Sequence, residues 1–260
     1  MPIIHANGID LNVSIEGEGP PLLLLHGLGD RLQRWEEEVR HFSPFFTTVA
    51  FDARGHGAST RPARYTLQDH IDDAIALADT LGYGEINVIG TSMGSYVAQG
   101  VAAAQPERVR SLALIVAKSH GTTSSSARLL AEHADELANK TFEEKQRFLH
   151  ARAFGPYASA EVKQAAAERV FSAPLSETEM AAAVGALTNF DLRPRLPAIK
   201  AHTLVMSGKH DVLNPVQDGR DCADRITDSE FIVMQRSGHY PNLEEAELYL
   251  TVLGEFLSAW

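Results

Sequence analysis

Apolar positions along the chain follow two different rhythms. Residues 2 to 6 and 9 to 16 alternate apolar and polar on either side of Asn7-Gly8, a dipeptide suited to the left-handed backbone of a tight hairpin turn. Two antiparallel edge strands are therefore predicted at the start. Leu22 to Leu25 is instead an unbroken apolar run, the pattern of a strand buried on both faces. Short runs at Thr47 to Phe51, Ile86 to Ile89, Val109 to Val116, Thr203 to Met206 and Phe231 to Met234 repeat it. Between them the spacing turns helical: Trp35 to Phe42, a segment opened by Thr66-x-x-Asp69 in which Ile71, Ala74, Ile75, Ala78 and Leu81 form one face, Tyr96 to Ala104, Pro215 to Ile226, and Ala246 to Trp260. Strand and helix alternate, so 1–118 and 193–260 are read as one core domain, a parallel sheet with helices on both faces.

That rhythm stops between Ser119 and Leu192. No strand is predicted there; helical patterns occupy Ala127 to Leu137, Phe142 to Ala153, Ala160 to Phe171 and Glu177 to Leu187, with capping boxes at Thr141-x-x-Glu144 and Ser176-x-x-Glu179. Gly155-Pro156 and Ala173-Pro174 punctuate the run. Residues 119–192 are expected to be a helical cap inserted between two strands, forming a lid over the strand ends.

Composition narrows the partners. In 260 residues, Lys+Arg 23 against Asp+Glu 34 gives a net charge of -11, with no basic run, which disfavours nucleic acid and leaves a small-molecule partner. Cys222 is the single cysteine, so no internal disulfide is expected and a reducing compartment fits. The opening Met1 to Ala6 has no basic stretch leading into an apolar one, and no 18-residue apolar run occurs. A cytoplasmic protein without a membrane partner is expected. No metal-ligand spacing or phosphate loop appears, so no cofactor is expected, and nothing indicates an oligomeric state.

Candidate chemistry centres on Gly90-x-Ser92-x-Gly94, placed between a predicted strand and a predicted helix. Small residues on both sides let backbone crowd around a sharp turn that lifts the serine hydroxyl from the sheet edge. A hydroxyl is a weak nucleophile and needs a base, and the base an orienting acid. His239 follows the last predicted strand in Ser237-Gly238-His239-Tyr240, and Asp211 follows the one before it in Gly208-Lys209-His210-Asp211. Each candidate sits at the carboxyl end of a parallel strand, where open α/β sheets place their sites. The strand before the insertion ends in Lys118-Ser119-His120 and offers no carboxylate. Of the other histidines, His26 and His56 are read as supporting hydrogen-bonding groups and His210 as structural.

With these motifs assembled, the chain resembles the α/β-hydrolase fold family. The resemblance rests on His26-Gly27, Asp52-x-Arg54-Gly55-His56-Gly57-x-Ser59, Gly90-x-Ser92-x-Gly94, Gly208-x-x-Asp211 and Gly238-His239, in the family's order. It implies a mostly parallel eight-stranded sheet flanked by helices, with the helical lid after the sixth strand. It also implies a Ser92, Asp211, His239 triad and an oxyanion hole from the backbone N–H groups of Leu28 and Met93. Trp35, Lys118, His120 and Tyr240, with Ser119, Phe154 and Tyr157, are the expected pocket residues.

Serine at position 92 excludes the branches with a carboxylate nucleophile, the epoxide hydrolases and haloalkane dehalogenases. Hydrolysis of an ester, lactone, thioester or activated carbon–carbon bond remains, with acyl transfer to another acceptor or to peroxide. Asp191-Leu192-Arg193-Pro194-x-Leu196-Pro197-x-Ile199-Lys200 is similar to the β-ketoadipate enol-lactonases. A substrate of that kind bears a free carboxylate and would want a cation; Lys118, Arg128 and Arg152 are candidates. The expectation is a serine hydrolase that cleaves a small carboxylic ester or lactone through an acyl-enzyme. The alternatives are a carbon–carbon bond hydrolase and a noncatalytic ligand receptor.

Overall fold

The structure is a computed structural model in which residues 1–258 are described. Strands β1 (Ile3–Ala6) and β2 (Ile9–Glu16) form the predicted hairpin, with Asn7 at φ 48° and Gly8 at φ 74° in its turn. Then follow β3 (Pro21–Leu25), a single 3-10 turn Leu32–Trp35, α1 (Glu36–Phe42), β4 (Thr47–Phe51), α2 (Leu67–Thr80), β5 (Ile86–Thr91), α3 (Met93–Ala104) and β6 (Val109–Ile115). After an inserted segment come β9 (His202–Gly208), α9 (Val216–Ala223), β10 (Ser229–Met234), α10 (Pro241–Glu244) and α11 (Ala246–Ser258). The last two positions of the helix expected to reach Trp260 lie outside the described residues.

These strands build an eight-stranded sheet in the order β1-β2-β4-β3-β5-β6-β9-β10. Only the β1–β2 and β2–β4 pairs are antiparallel. The unbroken apolar strands serve two cores at once, because alternate side chains point to opposite faces. In β3, Leu23 and Leu25 face α2, α3 and α9, whereas Leu22 and Leu24 face α1 and α11. In β6, Leu112 and Leu114 share the first core, Ala113 and Ile115 the second.

The inserted segment holds β7 (His120–Gly121), α4 (Ser125–Glu132), α5 (Ala134–Leu137), α6 (Phe142–Arg152), α7 (Ala160–Phe171), α8 (Glu177–Gly185) and β8 (Phe190–Asp191). Two features depart from expectation. The helix foreseen over Ala127 to Leu137 is broken at His133, whose φ of -114° and ψ of 25° leave the helical region. The segment foreseen without strands contains β7 and β8, paired antiparallel with His120 opposite Asp191 and Gly121 opposite Phe190. Strands of two residues carry no readable alternation, yet this ribbon stitches the insertion's two ends together, extended by Leu192 N–H to Ser119 O at 2.8 Å. At its far side α8 packs Ala183 and Ala186 with Leu175 against Tyr65 of the loop after β4.

Candidate active site

Strand β5 ends at Thr91 and α3 begins at Met93, so Ser92 alone makes the reversal. Its φ of 51° and ψ of -119° are costly for a non-glycine residue, on the order of 1–3 kcal/mol. Neighbouring close contacts hold it there. A Cβ on Gly94 would overlap the Leu25 carbonyl oxygen, and one on Gly90 would overlap the Gly94 carbonyl oxygen. This is the physical reason for glycine at both flanks of the motif. Ser92 N–H donates to Ile115 O at 2.9 Å, and Ser92 O accepts from Ser95 N–H at 2.9 Å.

The two other candidates meet it in space. Ser92 Oγ lies 2.9 Å from His239 Nε2, and His239 Nδ1 lies 2.7 Å from Asp211 Oδ2. A carboxylate only accepts, so Nδ1 carries the proton and Nε2 is left to accept from the serine hydroxyl. The Asp211 side chain is wholly buried, and its other oxygen accepts from the N–H groups of Leu213 at 2.8 Å and Asn214 at 3.0 Å. An imidazole oriented in this way is able to draw a proton from Ser92 while the carboxylate balances the charge it gains.

Several residues that the sequence reading passed over position this set. Asn214, fully buried, donates from Nδ2 to Val116 O at 2.6 Å and to Tyr96 Oη at 2.8 Å, and accepts at Oδ1 from Ser125 Oγ at 2.6 Å. It thereby joins the Asp211 loop to the end of β6, where Val116 holds φ 46°, a real outlier for a β-branched residue. Glu244 of α10 accepts from Gly238 N–H at 2.8 Å and Gly155 N–H at 2.7 Å, and burial raises its carboxyl above the ordinary range. His239 N–H itself donates to Ala153 O at 2.6 Å, so the histidine loop is bonded to the end of α6. The lone Asn and Glu give no sequence signal of these roles, because the Asn side chain's partners lie far away along the chain and the Glu binds backbone N–H groups, which any residue supplies.

Leu28 and Met93, the expected oxyanion donors, both border the same cavity as Ser92. Among the described residues neither N–H has a hydrogen-bond partner; Met93, first in α3, has none by its position. The loop carrying Leu28 lies against the serine, since a Cβ at Gly27 would stand 3.4 Å from Ser92 Cβ. His26 braces that loop: Ala53 N–H donates to its Nε2 at 2.9 Å, which puts the proton on Nδ1, directed to Gly27 O at 2.8 Å. The Asp52-to-Ser59 motif is a brace as well. Asp52 accepts from Leu32 N–H, Ala58 N–H and Asn12 Nδ2, each at 2.8 Å, and Arg54 makes a two-pronged pair with Asp73 at 2.8 and 2.6 Å.

A cavity of about 140 Å³ opens beside Ser92 and His239. Helices α6, α7 and α8 contribute Leu149, His150, Phe171 and Met180 to its wall, and Tyr240 closes it next to His239. Among the described residues no Lys, Arg, Asp or Glu lines it. Of the seven expected pocket residues, Tyr240 is there and six are not, Ser119 being buried away from the cavity. Trp35 is fully buried in the core between Leu32, Val39 and Tyr249, because the 3-10 turn rotates its indole under the sheet. Lys118 folds back over the Tyr96 and Phe190 rings, its Nζ 5.8 and 5.6 Å from their centroids, where burial pulls its ammonium pKa down to about 8. His120 is taken up by the β7–β8 ribbon opposite Asp191. Arg128 pairs with Glu132 and donates to Val212 O at 2.7 Å, and Arg152 lies 3.6 Å from Glu136, so neither expected cation faces the cavity. Phe154 packs against His150 and Tyr240, behind the wall, and Tyr157 is exposed. Among the described residues no helix is long and apolar enough to cross a membrane.

The family model for the alpha/beta hydrolase fold matches residues 20–246. The chain belongs to that family. It is 26% identical to 3-oxoadipate enol-lactonase 2 of Acinetobacter baylyi, covering 96% of both chains, and 28% identical to 2-hydroxymuconate semialdehyde hydrolase of a Pseudomonas species, covering 98% of this chain and 93% of that one. Among solved structures, the enol-lactonase from Burkholderia xenovorans superposes with a TM-score of 0.85 at 27% identity, over 99% of this chain and 100% of that one. Full-length similarity to named hydrolases makes this chain a hydrolase of the same fold.

Proposed function

We propose that this hydrolase cleaves an uncharged carboxylic ester or lactone of a small molecule, with Ser92 as nucleophile, His239 as general base and acid, and Asp211 as the orienting carboxylate. The observation that carries the proposal is the unbroken hydrogen-bonded chain from Ser92 Oγ to Asp211 Oδ2 beside a largely apolar cavity. In acylation, Ser92 Oγ attacks the carbonyl carbon as its proton passes to His239 Nε2. The negative charge that develops on the carbonyl oxygen is received by the N–H groups of Leu28 and Met93. Collapse breaks the bond to the alcohol oxygen, which takes the proton from His239; water then attacks the acyl carbon as it gives a proton to His239, and collapse returns that proton to Ser92 Oγ as the acid is released. With a lactone the leaving hydroxyl stays tethered to the acyl group.

The substrate's neutrality follows from the lining. The enol-lactone named for the relatives derives from a dicarboxylate and keeps a free carboxylate, and burying it beside Leu149, Phe171 and Met180 without a cation would be strongly unfavourable. Helices α4 to α8 act in this proposal as the cap that shapes the acyl and alcohol sites, and the free, buried Cys222 fits a cytoplasmic setting. The test is labelling by a fluorophosphonate probe together with hydrolysis of p-nitrophenyl acetate. Labelling confined to Ser92 and lost with Ser92→Ala is expected. A protein that remains unlabelled and inert would sink the proposal.

A further inference from the structure

We propose, building on the serine hydrolase function above, that His150 selects the substrate by hydrogen-bonding a neutral oxygen on its acyl group, so that oxygen-bearing acyl esters are preferred over plain alkyl ones. Helix α6 turns Gln146, Leu149, His150 and Ala153 toward the cavity, the i, i+3, i+4, i+7 stripe of a single helix face. His150 is the aromatic member of that stripe and it is 9% exposed. Among the described residues neither of its ring nitrogens has a hydrogen-bond partner; Nε2 is sealed, and Nδ1, which is not, is the nitrogen left for a ligand to reach.

Its surroundings fix the ring rather than satisfy it. Phe154 and Phe171 contact it edge-on at 5.2 and 5.5 Å between centroids, and Tyr240, the neighbour of His239, lies at 5.9 Å. Were packing its only role, phenylalanine would fill this aromatic nest without leaving a polar nitrogen buried and unpaired. Burial, and after it the nearby Arg169, lower the pKa of His150, with Asp30 opposing and Arg147 adding to the effect. The imidazole is therefore neutral at pH 7 and offers one donor and one acceptor. A keto, hydroxyl or ether oxygen matches that capacity, whereas a carboxylate would bring a charge into a lining that supplies no cation.

The inference is tested with p-nitrophenyl alkanoates and their keto counterparts, the extra carbonyl being moved stepwise along the acyl chain, on the unmodified protein, His150→Phe and His150→Gln. At one or more positions the unmodified enzyme is expected to favour the keto ester by about 10-fold or more in kcat/KM. His150→Phe should remove that preference by raising KM for the keto ester and lowering it for the alkanoate, and His150→Gln should restore part of it. A role confined to folding would move both esters together and would not be rescued by glutamine. The inference is overturned if no keto position is preferred, or if the preference survives His150→Phe. Fluorophosphonate labelling runs in parallel: an unmodified protein that neither labels nor turns over any ester removes the serine hydrolase function itself, whereas a labelled, active and indiscriminate one removes only the role of His150.

Discussion

The strain at Ser92 belongs to the backbone and not to its hydroxyl, so the hydroxyl can be deleted without disturbing the turn. Alanine at φ 51° is no less strained than serine there. Ser92→Ala is therefore expected to melt within a few degrees of the unmodified protein while losing ester hydrolysis by roughly 10⁴-fold or more; retention of substantial turnover would put the nucleophile elsewhere. Glu244 gives a different signature, since it touches only the backbone N–H groups of Gly238, Gly155 and Tyr240. Glu244→Ala frees the loop behind His239, and kcat should fall about 10-fold with KM little changed, on the general ground that a displaced base loses transition-state stabilisation more than binding. Steady-state kinetics on one p-nitrophenyl ester separates the two. The contrast explains what the sequence shows of the site. Ser92, Asp211 and His239 each sit in a short local pattern at a strand end and can be picked out singly. Asn214 works through a partner 98 positions away and Glu244 in part through one 89 away, and Lys118 and Trp35 are misassigned because the direction of a loop or turn side chain is settled by tertiary packing.

Elements were legible wherever the signal was local. The capping boxes at Thr66, Thr141 and Ser176 are all formed, each with the side-chain and backbone bonds in both directions. Ser124 and Ser159 also cap, for α4 and α7, but they lack Glu or Gln three residues on and so read as ordinary loop serines. What joins elements is harder to see. Arg34 and Glu38 form a buried pair at 2.7 Å with side chains 3% and 1% exposed, and Tyr249 of α11 donates to the same Glu38 oxygen at 3.0 Å. Glu38 Oε2 and Arg34 Nη2 have no further partner among the described residues. Desolvation of both ions consumes most of their attraction, yet removing one strands the other. Glu38→Ala should therefore lower unfolding free energy by about 3 kcal/mol or more in a urea titration, whereas Arg34→Met with Glu38→Leu should recover most of that loss. If the single variant were as stable as the pair replacement, a stranded Arg34 charge would not be the source of the loss.

Across the whole molecule the two cores on the faces of the sheet are predominantly apolar, and one group of buried polar residues lies where the hydrolase motifs converge. His26, His56 and His70 stand in a row beneath the loop that carries Leu28, with centroids 5.2 and 6.2 Å apart, and Tyr65 covers His70 at 5.2 Å. His56 donates from Nδ1 to Arg54 O at 2.9 Å, and its Nε2 is buried without a partner, as is that of His70. Burial, then the neighbouring His26, lowers His56 to a pKa of about 3, and burial, then His56, lowers His70 in the same direction. These are bases whose folded pKa lies below the unfolded value of about 6.5. Between those limits the unfolded chain binds protons that the folded protein refuses, so stability rises with pH there and falls as pH drops below about 6.5. Each such histidine contributes up to about 1.4 kcal/mol per pH unit within the window. Urea unfolding at pH 7 and at pH 4.5 should accordingly show a marked loss at the lower pH. His70→Phe keeps a ring between His56 and Tyr65 and deletes one titrating site, so its loss between the same two pH values should be smaller. Carboxylates contribute equally to both proteins and cancel in the comparison. Coincident losses would mean that His70 already carries its proton in the folded state, and that the acid lability of the fold originates outside this row.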